Sequence, residues 1–314
     1  MGIQQHSPGQ KHLIIILGPT AVGKTSLAIN LAKHFKTEIV SADSRQFYRE
    51  ITIGTARPSP EELAQATHHL IGMLSISDYY NVFRFETEVI SLLKNLFSTH
   101  HVVIMAGGSG LYIDAICNGI DHIPDTDEDL RNDLNNILLH QGIQPLRDRL
   151  KLLDSQAYQN IDLANPMRII RALEVCLTTG RTYSSFLHNV SPHRPFNIIK
   201  VGLKRERKEL YDRINHRVDE MIAKGLAEEA RSLYQYRNYN SLQTVGYREL
   251  FEYFDGNYSM EKAIEKIKTN TRRYAKKQMT WFARDKDIHW FSPEDQESIL
   301  SFIANQITAG KIKN

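Results

Sequence analysis

A glycine-containing segment near the N-terminus carries residues whose types and spacing suit phosphate chemistry. Residues 18–25 read Gly-Pro-Thr-Ala-Val-Gly-Lys-Thr and fit the pattern G-x-x-x-x-G-K-[ST] in full. The glycines allow backbone amides to turn toward an anion, and Lys24 adds a positive charge. The hydroxyl of Thr25 is a candidate ligand for a Mg²⁺ ion that bridges phosphate oxygens. The pattern predicts a phosphate-binding loop, and an ordinary glycine turn before a helix is the alternative.

The loop does not identify the phosphate compound that binds. An ATPase normally carries a magnesium-binding acid at the end of a second apolar strand. Here the apolar run at 101–106 continues into Gly107-Gly108-Ser109 and has no aspartate at that place. This departure leaves room for a diphosphate donor in place of a nucleoside triphosphate.

Asp43 is the candidate acid–base residue. It follows the apolar run at 37–42, so we expect it at the same edge of a sheet as the phosphate loop. A carboxylate there can accept a proton from a nucleophile that attacks beside a phosphate group. The position leaves two alternatives open, a ligand of Mg²⁺ and the N-cap of a helix.

A second source of positive charge lies far along the chain. Arg213 and Arg217 are four residues apart in a stretch of helical character, so they share one helix face. Such a pair can stabilise an anion from the side opposite the loop. A solvated helix face is the alternative.

The elements that must position these residues are those of an α/β fold. Apolar runs at 13–17, 37–42, 101–106 and 196–203, with a short one near 288–291, predict strands separated by helical stretches. This alternation predicts a phosphate-loop core with a parallel sheet flanked by helices. From 123 to 194 the strand signals vanish and charged helix-forming stretches dominate. We therefore predict an all-helical insertion at 123–194 between two parts of the core, 1–122 and 195–314.

Composition excludes several classes of protein. The chain has 314 residues, 41% of them hydrophobic, and a formal net charge of +3, so a substantial core is possible and the bulk charge is only mildly basic. Its two cysteines, Cys117 and Cys176, form no CxxC pair, which argues against a zinc site or a disulfide framework. The N-terminus lacks a signal-peptide pattern, and no apolar run is long enough for a bilayer. These features predict a soluble, cytoplasmic protein with no membrane contact.

The last long helical stretch has a basic face. Its cations recur at helical spacing, as do the apolar residues of an adjacent face that we expect to pack on the core. The basic set is Lys262, Lys266, Arg273, Lys277 and Arg284, and the apolar set is Ala263, Ile267, Tyr274 and Trp281. A basic ridge suits a nucleic-acid backbone, and a solubilising surface helix is the alternative.

Seven segments in order carry a resemblance to a known family. They are GPTAVGKT (18–25), SADSRQFY (41–48), IGTARP (53–58), AGGSGLY (106–112), NPMRIIRALEV (165–175), TVGYREL (244–250) and YAKKQMTWFARD (274–285). Together they resemble the bacterial tRNA dimethylallyltransferase family, also called tRNA isopentenyltransferases. The resemblance covers nearly the whole chain after about residue 12.

The resemblance implies a reaction and its partners. A dimethylallyl group would move from dimethylallyl diphosphate to N6 of the adenosine immediately 3′ of the anticodon, tRNA position 37, with release of diphosphate. It also implies Mg²⁺ as the cofactor and a helical insertion that grips the tRNA anticodon stem-loop. We expect the chain to act as a monomer.

The resemblance also implies roles for individual residues. The catalytic set is Asp43, Ser109, Lys24 and Arg217, and the metal ligand is Thr25. The diphosphate-binding set is Gly18, Pro19, Thr20, Ala21, Val22, Gly23, Lys24, Thr25 and Arg217. The tRNA-binding set is Asp43, Ser44, Arg45, Gln46, Ser109, Arg131, Met167, Arg168, Ile169, Ile170, Arg171, Gln243, Gly246, Arg248, Lys276, Lys277, Gln278 and Trp281.

Two positions depart from the family pattern. The family often has threonine where this chain has Ser109, which keeps the hydroxyl but lacks the methyl group. The family commonly ends its last motif with arginine, where this chain has Ala283 followed by Arg284.

Three other functions remain open on the residues alone. A phosphate-loop kinase or NTPase would turn over ATP and bind it more tightly than dimethylallyl diphosphate. An isopentenyltransferase that acts on free adenine nucleotides would share the core but would need no grip on RNA. A non-catalytic RNA-binding protein would not need Lys24, Thr25 and Asp43 together. The basic helix and the long insertion favour tRNA.

Overall fold

Six parallel strands form the sheet that organises the larger part of the chain. The computed structural model describes residues 10–125, 127–187 and 192–310. Its strands are β1 (His12–Leu17), β2 (Ile39–Ser41), β3 (His68–His69), β4 (Val102–Gly107), β5 (Asn197–Leu203) and β6 (His289–Phe291). They lie in the order β3-β2-β4-β1-β5-β6, and every neighbouring pair is parallel. The predicted α/β fold with a parallel sheet is confirmed.

The helices are interspersed among the strands along the chain. They are α1 (Lys24–Phe35), α2 (Pro60–Leu63), α3 (Val82–Thr99), α4 (Gly110–Asn118), α5 (Glu128–Gln141), α6 (Gln144–Leu153), α7 (Ser155–Asn160), α8 (Pro166–Thr179), α9 (Arg207–Ala223), α10 (Leu226–Ser232), α11 (Tyr247–Phe254), α12 (Met260–Phe282) and α13 (Gln296–Gly310). Among the described residues, short 3₁₀ helices span Tyr183–Phe186, Tyr234–Tyr236 and Asn240–Leu242.

The central strand β1 shows why the sheet is covered on both faces. All six of its residues are buried. Ile14 and Ile16 belong to the core on the side of α1, whereas Leu13, Ile15 and Leu17 belong to the core on the side of α3. Because successive side chains of a strand point to opposite faces, a continuous apolar run is what a doubly covered strand requires.

The chain divides into two compact units. One comprises residues 1–117 and 193–314 and contains the sheet, and the other comprises 118–192. The sequence placed the insertion at 123–194. The smaller unit holds α5 to α8 around its own core, which includes Leu134, Leu146, Leu150 and Leu173. Across the residues for which coordinates are described, no helix combines the length and apolarity of a membrane span.

Candidate active site

The carboxyl edge of the sheet gathers the chemical residues that the sequence singled out. β1 ends at Leu17 and leads into the phosphate loop, β2 ends just before Ala42 and Asp43, and β4 ends just before Gly108 and Ser109. β4 pairs with both β1 and β2, so the three loops emerge side by side. This is the edge where parallel α/β sheets bind ligands.

Two glycines allow the phosphate loop its shape. Gly18 and Gly23 have φ angles of 145° and 115°, which L-residues rarely adopt. A Cβ on Gly18 would also lie 2.6 Å from the carbonyl oxygen of Leu203. The loop therefore needs glycine at both positions, as the pattern predicted.

Basic side chains hold the carbonyl oxygens of the loop. Lys24 Nζ donates to the oxygens of Gly18 and Pro19 at 3.0 and 2.7 Å. Arg213 Nε donates to the oxygen of Ala21 at 2.9 Å, and Arg205 Nε donates to the oxygen of Val22 at 3.0 Å. With its oxygens turned onto cations, the loop can present its amides to an anion.

The amides of the loop are available for that anion. Within the described part of the chain, the amides from Ala21 to Thr25 have no hydrogen-bond acceptor. They precede and begin α1, whose N-terminus carries a partial positive charge. The amide of Thr20 differs, because it donates to Gln278 Oε1 at 2.9 Å.

Lys24 is held in an unusual electrostatic state. Its burial lowers its pKa from 10.5 to about 8, Asp43 opposes this effect, and Arg217 adds to it. Arg217 is itself affected by burial, which lowers its pKa, while Asp43 raises it. Lys24 and Arg217 are half-buried and share the charged cavity with three carboxylates, those of Asp43, Glu62 and Glu220. A phosphate group bound there would interact favourably with both cations.

Asp43 stabilises a turn through its Oδ1, and its Oδ2 is available for another partner. Its Oδ1 accepts a hydrogen bond from the amide of Arg45 at 3.0 Å, and its backbone oxygen accepts from Gln46 at 3.1 Å. Residues 44–47 form a turn, and none of them begins a helix, so Asp43 is not a helix N-cap. Its Oδ2 has no hydrogen-bond partner among the residues with described coordinates.

Ser109 and Gln46 lie beside Asp43 with defined partners. Ser109 Oγ accepts from the amide of Ser44 at 3.0 Å and donates to Ser44 Oγ at 3.2 Å. Gln46 Nε2 donates to the backbone oxygens of Thr55 and Ala56, both at 3.2 Å. These bonds fix the turn that presents Asp43.

A charged cavity and an apolar cavity meet at Asp43. The charged cavity has a volume of about 460 Å³, and its lining includes Lys24, Thr25, Asp43, Arg213 and Arg217. The second has a volume of about 120 Å³ and shares Thr20, Asp43, Thr55, Arg217 and Tyr274 with the first. Its remaining wall is largely apolar, formed by Ile214, Val218, Met221, Leu226, Val245 and Ile267. The site can therefore take a ligand with an anionic end and a small apolar end.

The oxygen donors at the charged cavity fit Mg²⁺. Thr25 Oγ1 makes no hydrogen bond to any described residue, and it lines the same cavity as Asp43. Magnesium prefers such hard oxygens and usually completes its shell with water and phosphate oxygens. No group of three or more His, Cys, Asp or Glu side chains suited to a metal occurs in the ranges that the structure describes.

Two predicted tRNA contacts in the smaller unit lie against a buried acid. Glu174 is fully buried, and Arg131 binds both of its carboxylate oxygens, with Nη2 to Oε2 at 2.9 Å. Arg171 Nη1 lies 3.5 Å from the same Oε2, and its Nη2 donates to the oxygen of Pro124 at 3.0 Å. These arginines are thus at least partly engaged in holding α5 to α8.

The α8 segment divides into an exposed and a buried part. Met167 is 55% exposed and Arg168 is exposed, so both can contact RNA. Ile169 and Ile170 are fully buried in the core of the smaller unit. Helical spacing turns these two side chains inward, so a tRNA contact at these positions could involve only their backbone and stays a prediction.

The α12 segment divides in the same way. Lys276 and Lys277 are exposed. Gln278 is only 6% exposed and joins two loops of the site, since its Oε1 accepts from Thr20 and its Nε2 donates to the oxygen of Gly108 at 2.9 Å. Its placement indicates a scaffold role, and because it also lines the charged cavity, its contact with tRNA stays a prediction.

The predicted apolar face of α12 holds only in part. Ala263 and Ile267 are buried. Trp281 packs over Gly110 and donates from Nε1 to Asp114 at 2.9 Å. Tyr274 is 43% exposed and lines both cavities, so the expectation that it packs on the core is wrong.

The basic face of α12 is unevenly available. Lys262 pairs with Glu265 at 2.9 Å, and Lys266 lies over the ring of Tyr258. Arg273 and Lys277 are exposed, and Arg284 is exposed while lying over the ring of Trp281. The end of the helix nearer the site therefore offers more free charge than its beginning.

The remaining predicted tRNA contacts surround the start of α11. Gln243 and Arg248 are exposed, whereas Gly246 is buried at the N-cap with φ 101°. Arg45 donates from Nη1 to the backbone oxygen of Asn240 at 2.9 Å, which ties the Asp43 turn to this region.

Two site residues escaped the sequence analysis. Arg205 follows β5 and reaches Val22, so the rule that strand ends carry the site could have found it. Glu229 lies in α10 and binds residues 52–54. Nothing in its local sequence distinguishes it from a surface acid.

Sequence comparison places the chain among prenyl-transferring enzymes. A family model described as IPP transferase matches residues 46–285. tRNA dimethylallyltransferase 1 of Bacteroides fragilis is 52% identical over 301 residues, which cover 95% of this chain and 99% of that protein. tRNA dimethylallyltransferase of Christiangramia forsetii is 52% identical over 297 residues, covering 94% and 98%.

Solved structures give the same assignment. The tRNA isopentenylpyrophosphate transferase of Bacillus halodurans superposes with a TM-score of 0.71 at 37% identity, over 97% of this chain and 99% of that chain. A eukaryotic dimethylallyltransferase acting on tRNA superposes with a TM-score of 0.76 at 26% identity, over 94% and 80%. The resemblance that the seven segments carried is confirmed, and the protein belongs to the IPP transferase family.

Proposed function

We propose that the protein transfers a dimethylallyl group from dimethylallyl diphosphate to N6 of the adenosine at tRNA position 37 and releases diphosphate. The observation that carries this proposal is the position of Asp43, which lines both the charged cavity and the apolar cavity. An alkyl diphosphate has one end suited to each. The names of the relatives and of the eukaryotic structural neighbour support tRNA as the acceptor.

The charged cavity would stabilise the leaving group. Breaking the allylic C–O bond leaves concentrated negative charge on diphosphate, so donors that are already oriented lower the barrier. The free amides of the loop, Lys24 and Arg217 supply those donors. Mg²⁺ held by Thr25 would neutralise charge on the phosphate oxygens.

The apolar cavity would accept the prenyl group. Water occupies about 30 Å³ per molecule in the liquid. A cavity of about 120 Å³ therefore corresponds to a few water molecules, which suits a branched five-carbon group rather than a longer chain. Side chains such as Val218, Met221 and Ile267 would keep water away from the reacting carbon.

Asp43 would act on the incoming adenine. The exocyclic amine is a weak nucleophile because its lone pair is conjugated with the ring. As the new N–C bond forms, the N6 proton would pass to Asp43, whose Oδ2 has no partner in the described structure. Ser109 would orient the amine, and its bonds to Ser44 hold the hydroxyl in place.

Exposed cations would bind the tRNA. Arg168 in the smaller unit and Arg248, Arg273, Lys276 and Lys277 in the larger unit are exposed. They can contact phosphates of the anticodon stem-loop, and the adenosine must leave its stack to reach Asp43. All proposed catalytic groups come from one chain, so we expect a monomer. Because the proposed substrate is tRNA, we also expect the protein to act in the cytoplasm.

The test uses unmodified tRNA, dimethylallyl diphosphate and Mg²⁺, followed by mass analysis of the nucleosides. We expect one prenylated adenosine per tRNA at position 37, and no product when position 37 is changed to another base. ATP hydrolysis without prenyl transfer would instead identify a phosphate-loop NTPase. Equal prenylation of free adenine nucleotides would remove tRNA as the specific acceptor.

A further inference from the structure

Glu229 on α10 binds the backbone of the loop at residues 52–54. Its Oε2 accepts from the amides of Thr52 and Ile53 at 3.0 and 2.9 Å and from Thr52 Oγ1 at 2.6 Å. Its Oε1 accepts from the amide of Gly54 at 3.0 Å and from the hydroxyl of Tyr247 at 2.5 Å. Five donors on one carboxylate, three of them consecutive amides, are more than a surface acid makes.

The environment of Glu229 keeps it ionised. Burial opposes ionisation, but the hydrogen bonds from Thr52, Tyr247, Ile53 and Gly54 outweigh this effect, and the pKa of Glu229 is lowered. The carboxylate is therefore an acceptor at both oxygens. It can satisfy all five donors at once, which an amide of the same shape cannot.

Tyr247 completes the contact on the other side of the loop. A Cβ on Gly54 would lie 2.5 Å from the ring of Tyr247, so the loop backbone packs directly on that ring. Tyr247 is fully buried. Two residues later, Ala56 has φ 47°, a left-handed conformation that is unfavourable for alanine and must be held by its surroundings.

The far end of the loop contacts two residues of the site. The carbonyl oxygens of Thr55 and Ala56 accept from Gln46 Nε2 at 3.2 Å. The oxygen of Ala56 also accepts from Arg217 Nη2 at 3.4 Å. The carbonyl of Ala56 thus contacts both Gln46, a neighbour of Asp43, and Arg217, a half-buried cation of the charged cavity.

We propose that Glu229 is a positioning residue that orients Arg217 and Gln46 by fixing the backbone of residues 52–56. The contacts run from Glu229 to three successive amides, and from the next two carbonyls to the site. A role of Glu229 in catalysis rests on the proposed function, whereas the effect of Glu229 on anion binding can be measured separately.

The direction in which Glu229→Gln changes the affinity for diphosphate distinguishes a positioning role from a purely electrostatic one. Glu229→Gln removes a negative charge from a protein that binds an anion, so electrostatics alone would tighten binding. Positioning predicts the opposite, because either orientation of the glutamine sets its NH₂ group against backbone amides and loosens the loop. At the Oε1 position it would face the amide of Gly54, and at the Oε2 position the amides of Thr52 and Ile53. Glu228→Gln is the matched control, since Glu228 is the preceding residue on α10 and is exposed.

The experiment is titration calorimetry of the full chain with inorganic diphosphate and Mg²⁺. Leaving one buried donor unsatisfied loosens the backbone that orients Arg217, so we expect Glu229→Gln to weaken diphosphate binding about tenfold. Glu228→Gln should not weaken it. In the Arg217→Ala background the effect of Glu229→Gln should fall below about twofold, because coupled residues do not act additively.

The outcomes separate this inference from the proposed function. Unchanged or tighter binding by Glu229→Gln would overturn it, as would the same loss in both backgrounds, which indicates a general structural role. If Glu229→Gln does not fold, Tyr247→Phe keeps the ring and should show a smaller loss with the same dependence on Arg217. If the variants show the predicted coupling but the wild-type protein transfers no prenyl group, the proposed function is refuted. The positioning role of Glu229 would still stand.

Discussion

The carboxyl edge of the sheet and the smaller helical unit differ in what their motif residues do: the sheet edge leaves them open to a ligand, whereas the helical unit buries part of them. At the sheet edge, the phosphate loop, Asp43 and Arg217 line two cavities that share residues, and Ser109 contacts the turn that follows Asp43. In the helical unit, Ile169 and Ile170 turn into the core. Strand ends and glycine patterns constrain backbone geometry, whereas a motif on a helix does not say which face is outside.

Acidic residues show the contrast most clearly. Asp43 keeps one carboxylate oxygen without a partner among the described residues and lines both cavities. Glu174 is fully buried and holds Arg131 through both oxygens. The first arrangement suits chemistry and the second suits stability.

Asp43→Asn should give the largest loss of activity. The amide keeps the shape but cannot accept the N6 proton, and general bases contribute about 10²–10⁴-fold to rate. Single-turnover prenyl transfer with saturating tRNA and dimethylallyl diphosphate measures this loss, while tRNA binding should persist. Turnover at the wild-type rate would remove Asp43 as the base.

Glu174→Ala should act on stability instead. Glu174 is fully buried, but the side chain of Arg131 is 40% exposed, so the arginine left behind stays partly hydrated. Loss of the hydrogen bonds and of the buried side chain should therefore cost about 1–3 kcal/mol. Chemical denaturation followed by circular dichroism should show a lower free energy of unfolding, with Asp129→Ala, an exposed acid on α5, as the control. Equal stability of the two variants would contradict the structural role of Glu174.

Diphosphate affinity should fall as the pH rises through about 8. Burial lowers the pKa of Lys24 to about 8, so above that pH the free protein has a neutral lysine and must take up a proton to bind an anion. Calorimetry with dimethylallyl diphosphate in buffers of different ionisation enthalpy measures that uptake.

Lys24→Arg provides the control for this pH dependence, because arginine stays charged throughout the range. The variant should bind without proton uptake between pH 7 and about 9. Identical proton uptake by the variant would assign the titration to a different group.

Replacing Lys276 and Lys277 with glutamine should have the smallest effect, on tRNA binding alone. Each lost phosphate contact reduces the slope of log affinity against log salt by about 0.7–0.9. Lys262→Gln should change the slope less, since Lys262 already pairs with Glu265. An unchanged slope in the double variant would make this end of α12 a structural surface.

The sequence predicted the parallel sheet and the loops at its edge because apolar runs and glycines impose local geometry. It missed β3, whose two residues are both histidine and carry no apolar signal. It missed the scaffold roles of Gln278 and Glu229, because their partners lie far away in the chain, near residues 20, 108 and 52–54. Local periodicity cannot reveal such contacts.

Surface contacts were the least predictable part of the site. Tyr274 has the spacing of a core residue, yet it is 43% exposed and lines the cavities, because ligand sites expose side chains that periodicity assigns to packing. Arg131 looks like a free cation in sequence, and only the folded unit shows that it pairs with buried Glu174.

The most direct test is a crystal structure of the protein with a non-reactive thio analogue of dimethylallyl diphosphate and an anticodon stem-loop. We predict diphosphate oxygens on the amides of residues 21–25 and on Lys24. We also predict Asp43 Oδ2 within about 2.6–3.2 Å of the adenine N6 at position 37. An Asp43 remote from every base nitrogen, or a diphosphate bound away from the loop, would contradict the account.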